Sequence, residues 1–148
     1  MTTSTPVVAD QNQLDLAEKN RQLAERFFVI LETYEFEGLL AIFAPDGVKR
    51  MPYAPPGVGS IVNGAQAIYE QFSDMPRLFT AAKFPRHMYT TEDPNLIFVQ
   101  CAGDLDLKDG GKYENEYVFI FKLADGKITE LSEFYNPILM AKAFNVPL

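Results

Sequence analysis

Chemistry in this chain centres on a glutamate set among large apolar residues. Glu133 lies in the run KITELSEFY, with Leu131, Phe134 and Tyr135 close by. A carboxylate with such neighbours either reaches water or projects into a cavity, where it can serve as a general acid or base. Histidine is the side chain that ordinarily exchanges protons near neutrality. His87, the only one in the chain, is therefore the second candidate for catalysis, and an exposed strand edge is its competing role. Tyr113, Asn115, Tyr117 and Tyr135 bear polar tips that can orient a substrate carbonyl or hydroxyl; packing under helices is the alternative.

Other constellations carry less. Asp104, Asp106 and Asp109 fall beside Lys108 and the pair Gly110-Gly111, so a solvated hairpin tip is expected and no metal site. One His and one Cys exclude the common zinc patterns. Cys101 sits in the apolar run LIFVQCAG and reads as a buried, inert thiol. GVGSIVNG lacks the Lys-Ser/Thr end of a phosphate loop.

The elements that must position these residues follow from periodicity. Tyr113, Asn115, Tyr117, Phe119 and Phe121 share one strand face, and Glu114, Glu116, Val118, Ile120 and Lys122 the other. Asp125-Gly126 turns this strand into the one bearing Glu133. Parity poses a problem there: Ile128 and Glu133 fall on opposite faces of an unbroken strand, and only a bulge brings them together. Upstream, Leu16, Leu23, Phe27, Ile30, Leu31 and Tyr34 mark an amphipathic helix over 14–34. Short helices are predicted over 36–43 and over 65–74, the latter capped by Asn63. Residues 48–53 predict a strand, 54–64 a Pro/Gly-rich loop, the stretch after Met75-Pro76 a less regular segment with a strand near Met88 and Tyr89, and 96–107 a long strand, with one helical turn near the C-terminus. Helices first and antiparallel strands after indicate an α+β fold, with helices across the concave face of a curved antiparallel sheet that encloses a pocket. Residues 1–12 read as a flexible tail and 13–148 as one domain.

With 148 residues, 47% of them hydrophobic, twelve Phe and seven Tyr, the chain suits a single packed core. A net charge of −7 disfavours nucleic acid and anionic membrane surfaces as partners. The lone cysteine, the absence of a secretory signal and the absence of a spanning apolar run point to a soluble, cytoplasmic protein. The sheet's second apolar face, read as Ile97, Val99, Val118 and Ile120, predicts a homodimer.

Several motifs together resemble a known family. Thr91-Glu92-Asp93-Pro94-Asn95, Cys101 with Gly103, Tyr113-Glu114-Asn115-Glu116-Tyr117, Phe121, Gly126-Lys127-Ile128, Glu133-Phe134-Tyr135-Asn136-Pro137 and Val146-Pro147 are similar to the pattern of the phenazine biosynthesis A/B proteins. Lys19-Asn20-Arg21 fits the same pattern. The wider class is the nuclear-transport-factor-2-like fold, which includes ketosteroid isomerases and SnoaL-type cyclases. The resemblance implies a cone-shaped α+β barrel, a dimer packed sheet to sheet, and no metal or organic cofactor. It also implies acid/base assistance to reactions of small carbonyl compounds, with Glu133 matching the family's glutamate. The family's histidine has no counterpart in helix 65–74, where Glu70 lies at about the matching place; the resemblance thus makes Glu70 a further substrate-binding candidate, although a helix glutamate is ordinarily solvated. Two functions remain open: a cofactor-free isomerase, cyclase or condensation helper acting on a small hydrophobic carbonyl compound in secondary metabolism, and a non-catalytic small-molecule-binding or dimeric scaffold protein of the same fold.

Overall fold

The structure, a computed structural model, describes residues 10–148. Asp10 caps the first helix, its carboxylate accepting from the Gln13 amide at 2.8 Å. Helix α1 then runs Gln11–Thr33 and buries Phe27, Phe28, Ile30 and Leu31 along one stripe. Of the expected tail, residues 1–9 lie outside the described residues, and Gln11 and Asn12 already belong to α1. After a 3-10 turn at Phe36–Gly38 come α2 (Leu39–Ile42), β1 (Phe43–Arg50), β2 (Ile61–Asn63), α3 (Ala65–Phe72), α4 (Met75–Leu78), β3 (Phe79–Lys83) and β4 (Arg86–Thr90). The second half holds β5 (Leu96–Leu107), β6 (Lys112–Ala124), β7 (Lys127–Tyr135) and α5 (Pro137–Phe144).

Three local readings are corrected. Residues Ile61–Asn63 pair with β1 as a strand and are not loop, because their backbone completes the β1 edge. Asn63 therefore closes β2, and the N-cap of α3 is Gly64 at φ 94°, a conformation glycine adopts without strain. The stretch after α3, irregular by sequence, holds α4 and β3.

The open, curved sheet has the order β2-β1-β7-β6-β5-β3, with β4 also paired to β5. The edge of β5 is shared: β3 pairs with it from Asp104 to Leu107, and β4 from Ile97 to Cys101. All pairs are antiparallel except β1 with β7, which run parallel. The predicted α+β architecture holds, with this one departure from an all-antiparallel sheet.

The inner face of β6 is Tyr113, Asn115, Tyr117, Phe119, Phe121 and Leu123, all buried. Register brings Ile97 opposite Phe121 and Val99 opposite Phe119. Directly opposed residues share a face, so Ile97 and Val99 belong to the core and not to the outer apolar surface predicted for them. That outer surface is built from Phe98, Val118, Ile120 and Phe134, which pair or neighbour across β5, β6 and β7. Between α1 and the inner face, the Phe27 ring meets the rings of Phe28, Phe43, Phe72, Phe119 and Phe121 edge to face. This aromatic cluster fills the middle of the domain and forms one wall of the site.

Candidate functional site

A bulge in β7 aims the key carboxylate inward. Lys122 pairs with Glu130, but Leu123 pairs with Ile128, so Thr129 is an extra residue. Its hydroxyl donates to the Lys122 carbonyl at 3.1 Å. The inserted residue shifts the phase of the strand, so that Ile128, Leu131, Glu133 and Tyr135 all face the core. The parity conflict read in the sequence is thereby resolved.

Glu133 projects into a cavity of ≈ 190 Å³. Its apolar walls come from Leu31 of α1, Phe72 and Met75 beside α3 and α4, Phe79 and Phe84 around β3, and Phe119 of β6. Tyr113 and Tyr117 add two phenols. The Glu133 side chain is 14% exposed, and its Oε2 lies 3.1 Å from Nζ of Lys49, a residue only 4% exposed. Lys49 reaches this place because β1 runs parallel to β7, with Lys49 beside Leu131. Its ammonium donates to Oε1 of Gln71 at 2.6 Å and lies 4.2 Å from the centroid of the Phe72 ring. Two opposite charges removed from water together compensate one another where either alone would be costly, and the ammonium has further partners in Gln71 and Phe72.

The phenols stay neutral in this setting. Burial pushes the Tyr117 hydroxyl far above its ordinary value, and the nearby Glu133 charge acts in the same direction. Burial also raises Tyr113, against the hydrogen bond its hydroxyl accepts from the Asn115 amide. The Tyr117 ring packs against Gly103, where a Cβ would come within 2.5 Å of it, so only glycine leaves room there. A neutral phenol is a hydrogen-bond donor. The site thus offers a carboxylate, an ammonium and two phenolic donors against oily walls.

The structure brings together Glu133, Tyr113 and Tyr117, and separates the other predicted residues from them. His87 is exposed on the outer face, paired across the ladder with Gln100; the strand's alternation turns it away from the cavity. Glu70 is exposed on α3 and accepts from Gln66 at 3.2 Å, outside the cavity. Asn115 is buried but occupied: its amide donates to the Tyr113 hydroxyl (2.7 Å) and the Asn136 carbonyl (3.0 Å). Its oxygen accepts from the amides of Glu116 (2.7 Å) and Asn136 (3.0 Å). With both donors and both lone pairs in use, it holds the strands and not a ligand. Tyr135 stands 6.3 Å from the Tyr117 ring, outside the cavity lining, with its hydroxyl pushed up to about 12 by burial and by the Glu133 charge. Cys101 is buried, and its thiol is likewise pushed up to about 12 by burial, as an inert thiol should be.

Sequence reasoning missed Lys49 and Gln71. A signal existed for the first: two-residue alternation puts Lys49 of β1 in phase with Gly47 and, one residue past the strand, with Met51, both buried. A lysine in that phase points inward and calls for a buried acceptor or counter-charge. Gln71 carries no such mark, being an exposed helix residue whose amide alone turns in.

The SnoaL-like domain family matches residues 24–131, most of the chain. This protein belongs to the SnoaL-like domain family. Lys49, Gln71, Tyr113 and Tyr117 lie inside the SnoaL-like match, and Glu133 two residues beyond it. The chain is 34% identical over 145 residues to phenazine biosynthesis protein PhzB2 of Pseudomonas aeruginosa, covering 93% of this chain and 88% of that one. A PhzA/B-like protein of the same bacterium is 31% identical over 110 residues, 74% of this chain and 78% of its own. The crystal structure of PhzB2 matches with a TM-score of 0.75 at 24% identity, over 93% of this chain and 92% of that chain. TerC, co-crystallised with polyporic acid, matches with a TM-score of 0.71 at 16% identity, over 86% of this chain and 98% of its own. These likenesses establish the fold, as the motifs implied. No helix of the described residues is long and apolar enough to cross a membrane.

Proposed function

We propose that this SnoaL-like protein is an acid/base enzyme acting on a small hydrophobic carbonyl compound, with Glu133 as the group that takes and returns the proton. The observation that carries this reading is the burial of Glu133 beside a second titratable group, Lys49, 3.1 Å away in a mainly apolar cavity. A passive apolar binding site needs no buried ion pair; proton transfer next to a carbonyl needs a base and a way to stabilise the oxyanion that forms. Neutral Tyr113 and Tyr117 and the Lys49 ammonium supply donors of that kind. The reaction is isomerisation, cyclisation or assistance to a condensation, in line with the phenazine biosynthesis names of the relatives. A cavity of ≈ 190 Å³ is little larger than the roughly 150 Å³ void that accepts benzene, so the substrate is about one ring in size.

The protein acts as a homodimer, two copies meeting through the outer face bearing Phe98, Val118 and Phe134. Side chains of this kind, partly exposed at the middle of a sheet, are suited to burial against a second sheet.

Exchange of α-protons of a one-ring ketone in deuterated buffer tests the enzymatic reading. Glu133→Gln is expected to lower the protein-dependent exchange rate about 10² to 10⁴-fold, the range of a positioned general base. Unchanged exchange in the variant would exclude Glu133 as the base, and binding with no exchange in the wild type would leave a ligand-binding protein.

A further inference from the structure

The group that holds the Lys49 ammonium from the side of the helices is itself a carbonyl. Gln71 Oε1 lies 2.6 Å from Nζ, closer than the Glu133 carboxylate at 3.1 Å. The ammonium is buried, and among the described residues its ion-pair, hydrogen-bond and ring partners are Glu133, Gln71 and the face of Phe72. They differ in how they are held. Phe72 is locked in the aromatic cluster, and Glu133 is fixed by β7. Gln71 belongs to the exposed side of α3, and the bond to Lys49 is the only side-chain hydrogen bond it makes among the described residues. A rotation of its side chain carries the amide from the cavity into solvent without moving the backbone.

We propose that the Gln71 amide oxygen occupies the substrate's carbonyl subsite, and that an entering ketone displaces it and takes its hydrogen bond from Lys49. This inference rests on the acid/base reading above and assigns the carbonyl-polarising role to Lys49. Nζ bridges Gln71 and Glu133, so a carbonyl oxygen in place of Oε1 shares the ammonium with the carboxylate, and in the proposed pose its α-carbon lies toward that carboxylate. Glu133 then accepts the α-proton. The C–H electron pair becomes the C=C bond of the enolate, and the carbonyl π pair moves onto oxygen, next to the ammonium. Return of that proton to carbon regenerates both the carboxylate and a neutral ketone, so no further reactant is needed. Gln71 also answers the problem of an unfilled site: while no ligand is bound, its amide satisfies a buried ammonium that would otherwise lose an acceptor.

Cyclohexanone, one saturated ring with one carbonyl, is the probe. Its affinity, its infrared C=O stretch when bound and its α-deuteration are measured for wild type, Gln71→Ala, Lys49→Met and Glu133→Gln. Gln71→Ala, at an exposed position, is expected to bind about 3- to 10-fold more tightly, since the ligand no longer competes with an internal hydrogen bond. The bound C=O stretch should lie below its value in an apolar solvent for wild type and Gln71→Ala, and return to that value in Lys49→Met. A Lys49→Met/Glu133→Gln double variant, with both charges removed, controls for an unpaired buried carboxylate. Equal or weaker binding by Gln71→Ala overturns the proposal, as does a C=O band indifferent to Lys49 or no binding by either wild type or Gln71→Ala. The two readings fail separately. Loss of α-deuteration in Glu133→Gln with a band indifferent to Lys49 keeps Glu133 as the base and discards the Lys49 subsite. Unchanged α-deuteration in Glu133→Gln discards the base.

Discussion

At the scale of single residues, the polar side chains of the inner face divide by whether their hydrogen-bonding capacity is spent. Asn115 has every donor and acceptor engaged, and joins the Tyr113 hydroxyl to the backbone just before α5. Asn136, whose amide and carbonyl it holds, is in turn the cap of α5, its side chain accepting from the Ile138 amide at 3.0 Å. Asn115→Ala is therefore expected to lower stability by about 2 kcal/mol, read from urea unfolding, because buried partners are left unmatched. Its effect on ligand affinity should be secondary and should follow the displacement of Tyr113. Lys49 and Glu133 are the opposite case: they engage each other but face open volume. Sequence could rank Glu133 first because its motif and apolar neighbours are local. It could not exclude His87, whose suitability in type says nothing of which face it takes.

At the scale of elements, α1 is anchored to the sheet edge by a polar clamp. Arg86, at the start of β4, donates from Nε to Glu25 at 3.0 Å, from Nη1 to Glu32 at 3.1 Å, and from Nη1 to the Phe84 carbonyl at 2.8 Å. Its guanidinium also lies over Phe28, 5.0 Å from the centroid. Glu32 accepts from the Phe84 amide at 2.9 Å, so both carboxylates of the clamp come from one face of α1. This matters for the cavity because Leu31 and Phe84 both line it. The hydrogen bond from Arg86 holds the Glu25 carboxyl below its ordinary 4.5. A carboxyl lowered on folding stabilises the fold fully above 4.5, and that contribution fades as pH falls through the lower folded value. Arg86→Met should thus be less stable than wild type at pH 7, with the gap narrowing on acidification below 4.5. A gap constant from pH 7 to pH 3 in denaturant titrations would show that packing on Phe28, and not charge, is what Arg86 contributes.

At the scale of the whole molecule, the sheet has two uses. Its inner face holds the aromatic cluster and the cavity, and its outer face carries Phe98, Val118 and Phe134 with Tyr53 edge-on to Phe134 at 5.3 Å. Glutamate at Val118 would place a charge in the middle of that surface while leaving the inner face untouched. If two copies meet there, Val118→Glu should sediment as a monomer where wild type is a dimer at micromolar concentration, with thermal unfolding retained. A monomeric wild type, or a dimeric variant, would remove this face from the interface.

What the sequence determined by itself is what depends on near neighbours. The two-residue alternation of 113–123, the Asp125-Gly126 turn, the stripe of α1 and the match of Glu133 to a family motif are all local, and the fold class follows from their order. What the tertiary structure decided is what depends on register between distant segments. The bulge at Thr129 put Ile128 and Glu133 on one face, the pairing of β5 with β6 moved Ile97 and Val99 into the core, and the parallel pairing of β1 with β7 delivered Lys49 to Glu133. A one-residue shift in any of these ladders exchanges inside for outside. The partner of a buried charge is therefore settled by alignment across the sheet, which no single stretch of chain encodes.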